Sequence, residues 1–424
     1  MRQKTELLSP AGDPLKLKIA IAFGADALYC GVSHFSLRTR SSKEFSIQEF
    51  DEGIKYAHSL GKKIYVAANG FPFNTQIKLF ENHIAQMRDL NPDAFIVSSV
   101  GAVRLVKKIA PNIPIHLSTQ ANVLNVLDAQ VYFDLGVKRI IAAREASLKD
   151  LKAIKAAIPD IELEVFVHGS MCFAYSGRCL ISSLQTGRVA NRGSCANDCR
   201  FLYNIYVENP DTKVLMKVEE SDKGSYIFNA KDLNLIAYIK EIVESGAIDS
   251  IKIEGRTKSG YYAACATRAY RAALNDIENG CFEPSKYEAE LNTTKNRGFS
   301  DGFLFKRPYE KNGDQNLATS QSDGTHQVVA MIGENGETLR ALGTIRIGEE
   351  LEILAPLNAQ ITLVDRGDRG IIYKQGDRYF LRFSQIITAN DKALEAIHSG
   401  NQNPVLLPAP LPPYSFLRKP INAS

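Results

Sequence analysis

In the first 280 residues, short and nearly continuous apolar runs alternate with longer stretches in which apolar residues recur at helical spacing. The runs predict strands at Glu6 to Leu8, Asp26 to Gly31, Lys63 to Ala68, Asp93 to Ser98, Ile113 to Ser118, Arg139 to Ala142, Leu163 to Val167 and Ser250 to Ile253. The stretches between them predict helices with recognisable ends. Asp13 and Pro14 supply the cap and first position of "LKLKIAIAFGA", and "DLNLIAYIKEIVESGA" is expected to start at Asp232 and close near Gly246. The handover from helix to strand recurs as "GADALYCG", "NPDAFIVS", "GVKRIIAA" and "GAIDSIKI".

Strands that are apolar throughout are buried on both faces, as in a parallel sheet covered by helices. Eight of them predict closure into an α/β fold of the (β/α)8 TIM-like barrel type. The alternative is an open doubly wound sheet, but no G-x-G-x-x-G follows the first strand. In a barrel of this type the chemistry belongs at the C-terminal ends of the strands, in the loops that lead into the helices.

One of those loops is much longer than the rest. Between Val167 and Asp232 the chain spends roughly 60 residues, which predicts a large insertion after strand seven, 168–231, in a barrel spanning 1–280. It opens with "HGSMCFAYSGRC" and carries Cys172, Cys179, Cys195 and Cys199. Beyond the barrel, "KYEAELNTTKNRGFSDGFLF" predicts a connecting segment within 281–325 that packs back on it. From Gln327 to Thr388, β-rich alternation broken by Gly-Asp and Gly-Glu turns predicts a small antiparallel β domain, 326–400, of barrel or sandwich type. Such a module suits nucleic-acid binding and scaffold use equally. The tail "NPVLLPAPLPPYSFLRKP", in 401–424, predicts a proline-rich strap laid on the surface.

Composition narrows the setting more than the activity. The chain has 424 residues, 45% hydrophobic and 23% charged, as in an ordinary globular protein, and its net charge of +4 neither demands nor excludes nucleic acid. No stretch approaches the roughly 18 apolar residues of a membrane span, and the N-terminus has no apolar leader; a cytoplasmic protein without membrane contact is expected. In that compartment clustered thiols read as metal ligands or redox groups before disulfides. The spacing C-x6-C-x15-C-x3-C leaves three readings open: an iron-sulfur cluster, a zinc site, for which only Cys195 and Cys199 have the usual tight spacing, and unrelated buried or reactive thiols. Cys30, Cys265 and Cys281 are isolated, and core packing is expected for them.

Candidate substrate groups follow the strand ends. They are Arg38 and Arg40 after strand two, Gln120 and Asn122 after strand five, Arg144 and Glu145 after strand six, and Glu254 and Arg256 after strand eight; Asn229 and Lys231 precede the seventh helix. Guanidinium groups grip a carboxylate or phosphate bidentately, which suits a small dicarboxylate or an RNA backbone. Alternatively, Arg144 with Glu145 and Glu254 with Arg256 simply neutralise one another at the rim. His168 and Glu145 are the candidates for moving protons. The sequence has neither H-E-x-x-H nor G-x-S-x-G, so a peptidase reading rests on a Cys172–His168 dyad.

"EVFVHGSMCFAYSGRCLIS" resembles the signature of the collagenase-like family classed among peptidases of unassigned catalytic type, with Glu164, Phe166, Gly169, Ser170, Met171, Cys172, Gly177, Cys179, Ile181 and Ser182 in the pattern's positions. The resemblance extends through "ELLSPAGD", "GADALYCG", "FSLRTR", "HLSTQAN", "AARE", "NRGSCANDCR", "NAKDL" and "KIEGR", and so covers the barrel. Within that family the chain most resembles the branch of prephenate-dependent tRNA hydroxylation. The resemblance implies an iron-sulfur enzyme that converts wobble uridine of tRNA to 5-hydroxyuridine, with prephenate as co-substrate. Beside tRNA and a small dicarboxylate, an electron donor protein is carried as a candidate partner. The resemblance also implies a four-iron four-sulfur cluster on Cys172, Cys179, Cys195 and Cys199. Where some relatives place a ligand after the "KDL" element this chain has Asn234, and Cys199 is taken as the fourth ligand. The alternatives carried with it are zinc as the metal and a collagenase-like peptidase with a cysteine nucleophile.

Overall fold

All eight expected runs form strands in the computed structural model, which describes residues 4–32, 35–36, 45–171, 181–186, 188, 195–201, 203–208, 210–213, 215–218, 230–306, 322–365 and 367–421. They are β1 (Glu6–Ala11), β2 (Ala27–Cys30), β3 (Lys63–Ala67), β4 (Ala94–Val97), β5 (Ile115–Leu117), β6 (Arg139–Ile141), β7 (Glu162–Ser170) and β8 (Ser250–Ile253). Each pairs in parallel with the next in order up to β7, and β8 pairs in parallel with both β7 and β1, which closes the barrel.

Helices α1 (Pro14–Ala22), α2 (Ile47–Ser59), α3 (Ile77–Asp89), α4 (Val100–Ile109), α5 (Val126–Asp134), α6 (Leu148–Ala157), α7 (Ile239–Glu244) and α8 (Gly260–Glu278) follow the strands in turn. Their starts are set by local side chains: Asp13 accepts from Lys16 N, Ser99 from Ala102 N and Ser259 from Tyr262 N, each satisfying a first-turn amide. The main core lies between strands and helices, while Leu8, Ala27, Tyr29, Tyr65, Ala94, Ile96 and Ile141 form a separate cluster. No helix among the described residues is long and apolar enough to cross a membrane.

Two boundaries differ from the sequence reading, for one reason. Asp232–Asn234 is a short strand antiparallel to the end of β7, pairing Asn234 with His168, Leu233 with Gly169 and Asp232 with Ser170, and Phe299–Ser300 adds to its other edge. Strand β7 therefore runs through "HGS", and the long connection leaves the barrel after Ser170 rather than at His168. Asp232 does not cap a helix. Its backbone N–H donates to Gly298 O at 2.9 Å and its buried carboxylate takes Arg297, so strand pairing holds this segment and α7 starts only at Ile239.

The C-terminal sheet has seven antiparallel strands. In chain order these are β9 (His326–Ile332), β10 (Thr338–Ala341), β11 (Glu350–Leu354), β12 (Gly370–Gln375), β13 (Arg378–Phe383), β14 (Val405–Leu406) and β15 (Phe416–Pro420), and across the sheet they run β12-β13-β11-β15-β9-β10-β14. The tail is thus no strap at its end: β15 lies inside the sheet between β11 and β9, because Phe416, Leu417 and Arg418 are all buried there. Phe416 and Leu354 pack on Ile19 and Phe23 at the end of α1 and on Tyr261 of α8, joining sheet to barrel. Helix α9 (Pro284–Leu291), within the connecting segment, buries Tyr287 and Leu291 in the barrel's core.

Candidate active site at the barrel mouth

Alternation along β7 and β8 sets Glu164 and Lys252 into the barrel rather than its helical coat. Glu164 is fully buried; its carboxylate takes Lys252 Nζ at 2.8 Å and Arg139 Nη1 at 3.1 Å, and Arg139 also reaches Glu6 at 2.5 Å. Burial pushes the Lys252 pKa down, against the pull of Glu164.

Toward the strand ends, the cations gather on two rings. Lys252 Nζ lies 4.4 Å from the centroid of Tyr29 and 5.4 Å from that of Phe166. Arg144 covers Phe166 at 4.1 Å and Arg256 approaches Tyr29 at 5.9 Å. Each ring face offers negative potential to a cation. Tyr29 OH donates to Ile253 O at 3.0 Å, 3.4 Å from Glu254 Oε2, and buried Arg256 donates to Ser36 Oγ at 3.2 Å. Three cations around two rings, rimmed by Glu254, make a centre suited to a small carboxylate.

A polar cluster stands at the ends of the neighbouring strands. Gln120 Oε1 accepts from Ser98 Oγ at 2.9 Å and from Ser118 Oγ at 3.4 Å, and Asn69 Nδ2 donates to Ser118 Oγ at 3.4 Å. Asn122 holds a left-handed turn (φ 58°) and donates Nδ2 to Gln120 O, while its buried Oδ1 has no partner among the described residues.

His168 sits differently from the mouth groups. It is 1% exposed, and Tyr262, Tyr270 and Phe299 surround its ring at 5.5 to 5.8 Å. Burial lowers its pKa to about 4 despite Asp232 nearby, so the imidazole is neutral at pH 7, and Nδ1 has no partner among the described residues. The next residue, Gly169, has φ +106°, and a Cβ there would stand 2.4 Å from Glu254 O. Only glycine lets β7 pass so close to the end of β8.

The helix Ile181–Thr186 and the 3-10 turn Asp198–Arg200 pack together beyond β7, and Ser182 Oγ accepts from Ala196 N at 3.1 Å. Cys195 and Cys199 stand on either side of Asn197, whose left-handed backbone (φ 61°) reverses the chain. Both are half-buried and neither is in a disulfide. Two thiols on a tight turn are soft donors of the kind an iron-sulfur or zinc group takes, so the described part of the set fits. Among the described residues no group of three or more His, Cys, Asp or Glu converges on a metal position. Cys172 and Cys179 lie outside the described residues, as do Arg38, Arg40 and Asn229.

The structure thus brings together Arg144, Arg256 and Glu254 around the two rings, and sets Gln120 and Asn122 at neighbouring strand ends. Glu145 is half-buried beside Arg144. Lys231 is elsewhere, lining a groove with Asn234, Tyr238, Glu288 and Phe299. Of the Cys172–His168 dyad only the histidine is described, enclosed by aromatic rings. Cys30 and Cys265 are core thiols, each pushed up to about 12 by burial, but Cys281 is exposed because the chain has just left α8 through Gly280 (φ +72°). Sequence reasoning missed Lys252 and Tyr29 as site residues. The available signal was a lysine at an inward position of an otherwise apolar strand, "SIKI".

Fold and site together define a (β/α)8 barrel enzyme type with a cationic mouth and a thiol-bearing excursion from β7. Residues 12–314 match the model of Peptidase family U32, and the chain belongs to that family. It is 58% identical over 416 residues to a protein of Helicobacter pylori strain J99 named tRNA hydroxylation protein P, covering 98% of each chain. It is 37% identical to the Escherichia coli K12 protein of the same name, over 83% of this chain and 86% of that one. A more distant relative, 29% identical over 70% of this chain and 73% of the other, is named Collagenase, from Porphyromonas gingivalis strain W83.

Proposed function

We propose that this chain is a tRNA-hydroxylating enzyme that converts wobble uridine to 5-hydroxyuridine, with prephenate as co-substrate and a four-iron four-sulfur cluster as cofactor. The observation that carries the reading is the set of Arg144, Lys252 and Arg256 around Tyr29 and Phe166, in a chain aligned nearly end to end with relatives named for tRNA hydroxylation. Replacing C5–H of uridine by C5–OH adds one oxygen atom and removes two electrons from the base. The reaction therefore needs both an oxygen donor and a two-electron acceptor.

In this reading Arg144 and Arg256 hold carboxylates bidentately, and Lys252, ion-paired to Glu164, lies against the same two rings. Cys172, Cys179, Cys195 and Cys199 would hold the cluster. When bound, such a cluster supplies one-electron transfer at a potential set by burial and by hydrogen bonds to its sulfurs. His168, enclosed by Tyr262, Tyr270 and Phe299, fixes the end of β7, from which the cysteine segment departs.

The test is reconstitution. Protein purified without oxygen should be brown, with about four irons per chain as that cluster type requires, and should form 5-hydroxyuridine in tRNA from a deletion strain only when prephenate is added. Iron-loaded protein that leaves the tRNA unmodified with prephenate present would sink the reading.

A further inference from the structure

Register across the C-terminal sheet places Val328, Arg418, Glu352, Phe380 and Tyr373 in one row, on one face. The first part of the row packs on the barrel, where Arg418 bonds Tyr261 and Glu290. Its far part, on the β12–β13 hairpin, has no hydrogen bond, ion pair or ring contact to the barrel among the described residues. There Tyr373 and Phe380 stack with centroids 5.7 Å apart and planes at 24°, and both stay half-exposed.

Cations frame these rings. Arg378 and Arg382 are the neighbouring members of the same face, 57% and 46% exposed, and Arg382 lies 5.9 Å from the Tyr373 centroid. On the opposite face of the hairpin, Lys374 covers Tyr379 at 5.5 Å. From Arg369 to Arg382 the chain has four cations and one acid, Asp377. The adjacent acids are engaged: Glu350 accepts from Tyr373 OH and lies 3.6 Å from Arg382, and Glu352 is held by Arg418 at 2.8 Å. Glu352 also lies 3.6 Å from Arg378 and 3.5 Å from His326. His326 opens the adjoining cleft of about 720 Å³, lined by Lys258, Lys295, Tyr262 and Val328. Tyr262 stacks on His168. A band of aromatic and basic groups therefore runs from beside β7 to the hairpin.

The geometry points to this hairpin face as a docking platform for unpaired RNA nucleotides, with bases stacking on Tyr373 and Phe380 and phosphates on Arg378 and Arg382. Flat rings framed by guanidinium groups are the recurrent solution for single-stranded nucleic acid, since every base has a stacking face and every phosphate a charge. The inference rests on RNA being the substrate; the platform would hold a loop while its target base reaches the mouth.

Binding of a fluorescent anticodon stem-loop RNA separates the possibilities. The Y373A/F380A variant should bind at least tenfold more weakly, with little change in salt dependence. The R378Q/R382Q variant should bind more weakly and lower the slope of log affinity against log salt by roughly one unit or more. The second variant alters exposed groups only, and unchanged thermal unfolding would establish that it folds. Both folded variants binding like the wild type would overturn the platform alone if the wild type still hydroxylates tRNA. Binding that falls as expected in a protein without hydroxylating activity would overturn the proposed reaction alone. A wild-type dimer that either variant dissociates, with RNA binding intact, would assign the face to a second copy of the chain and overturn the platform.

Discussion

Lys252 and Glu164, on adjacent strands of the barrel, form an ion pair at 2.8 Å with side chains 4% and 0% exposed. A buried pair adds little net stability, but removing one partner strands the other charge, at a cost of about 3–5 kcal/mol. Lys252→Met should therefore destabilise the chain by that order in urea unfolding. Lys252→Met/Glu164→Gln should lose less than the sum of the single variants. A strictly additive double variant would show that Arg139 alone satisfies Glu164.

The same pair shows where sequence reading stops. The eight strands were legible because parallel barrel strands are buried on both faces, so that "ALYC" and "AFIV" stand out as continuous apolar runs. Arg144, Glu254 and Gln120 were legible as polar residues just past strand ends. Tyr29 and Phe166 were not, because an aromatic residue in an apolar strand looks the same whether it faces the mouth or the coat. The tail strand β15 was hidden by distance: its partners, β9 and β11, lie more than 60 residues away, and prolines before it signalled extended chain. Asp232 misled because aspartate before a helical pattern is the ordinary sign of a cap.

Gly169→Ala tests how closely β7 and β8 pass. The added methyl would meet Glu254 O at 2.4 Å and Tyr262 OH at 2.7 Å, on a backbone at φ +106°. Backbone cannot yield as a flexible side chain would, so a loss of about 2 kcal/mol or more is expected from strain and overpacking. The displaced strand end should also lower the iron content of anaerobically purified protein. Full iron content and unchanged unfolding would separate β7 from the cysteine segment.

The neutral imidazole of His168 sets an acid limb. With a folded pKa of about 4 and an ordinary unfolded value near 6.5, the proton binds the unfolded chain first as pH falls. The stability concerned is whole above about pH 6.5 and is lost as pH drops through 4, by up to about 3 kcal/mol. His116 is also buried and held well below its usual range, so both histidines steepen the same limb. His168→Gln should flatten stability against pH between 6.5 and 4 by about one proton. An unchanged slope would mean that the ring is protonated in the folded barrel.

Arg418 is the link whose loss should uncouple the two sheets. Its Nη1 donates to Glu290 at 2.6 Å and Tyr261 at 3.0 Å, and its Nη2 to Glu352 at 2.8 Å, so one buried guanidinium joins α9, α8 and β11. Arg418→Met leaves two carboxylates without that cation in a buried junction, at a cost of about 3–5 kcal/mol. Because the lost contacts lie between barrel and sheet, the variant should open there first. Hydrogen exchange should then rise first in the C-terminal sheet, while the barrel's own helices stay protected. Uniform loss of protection across barrel and sheet would show instead that the two unfold as one unit.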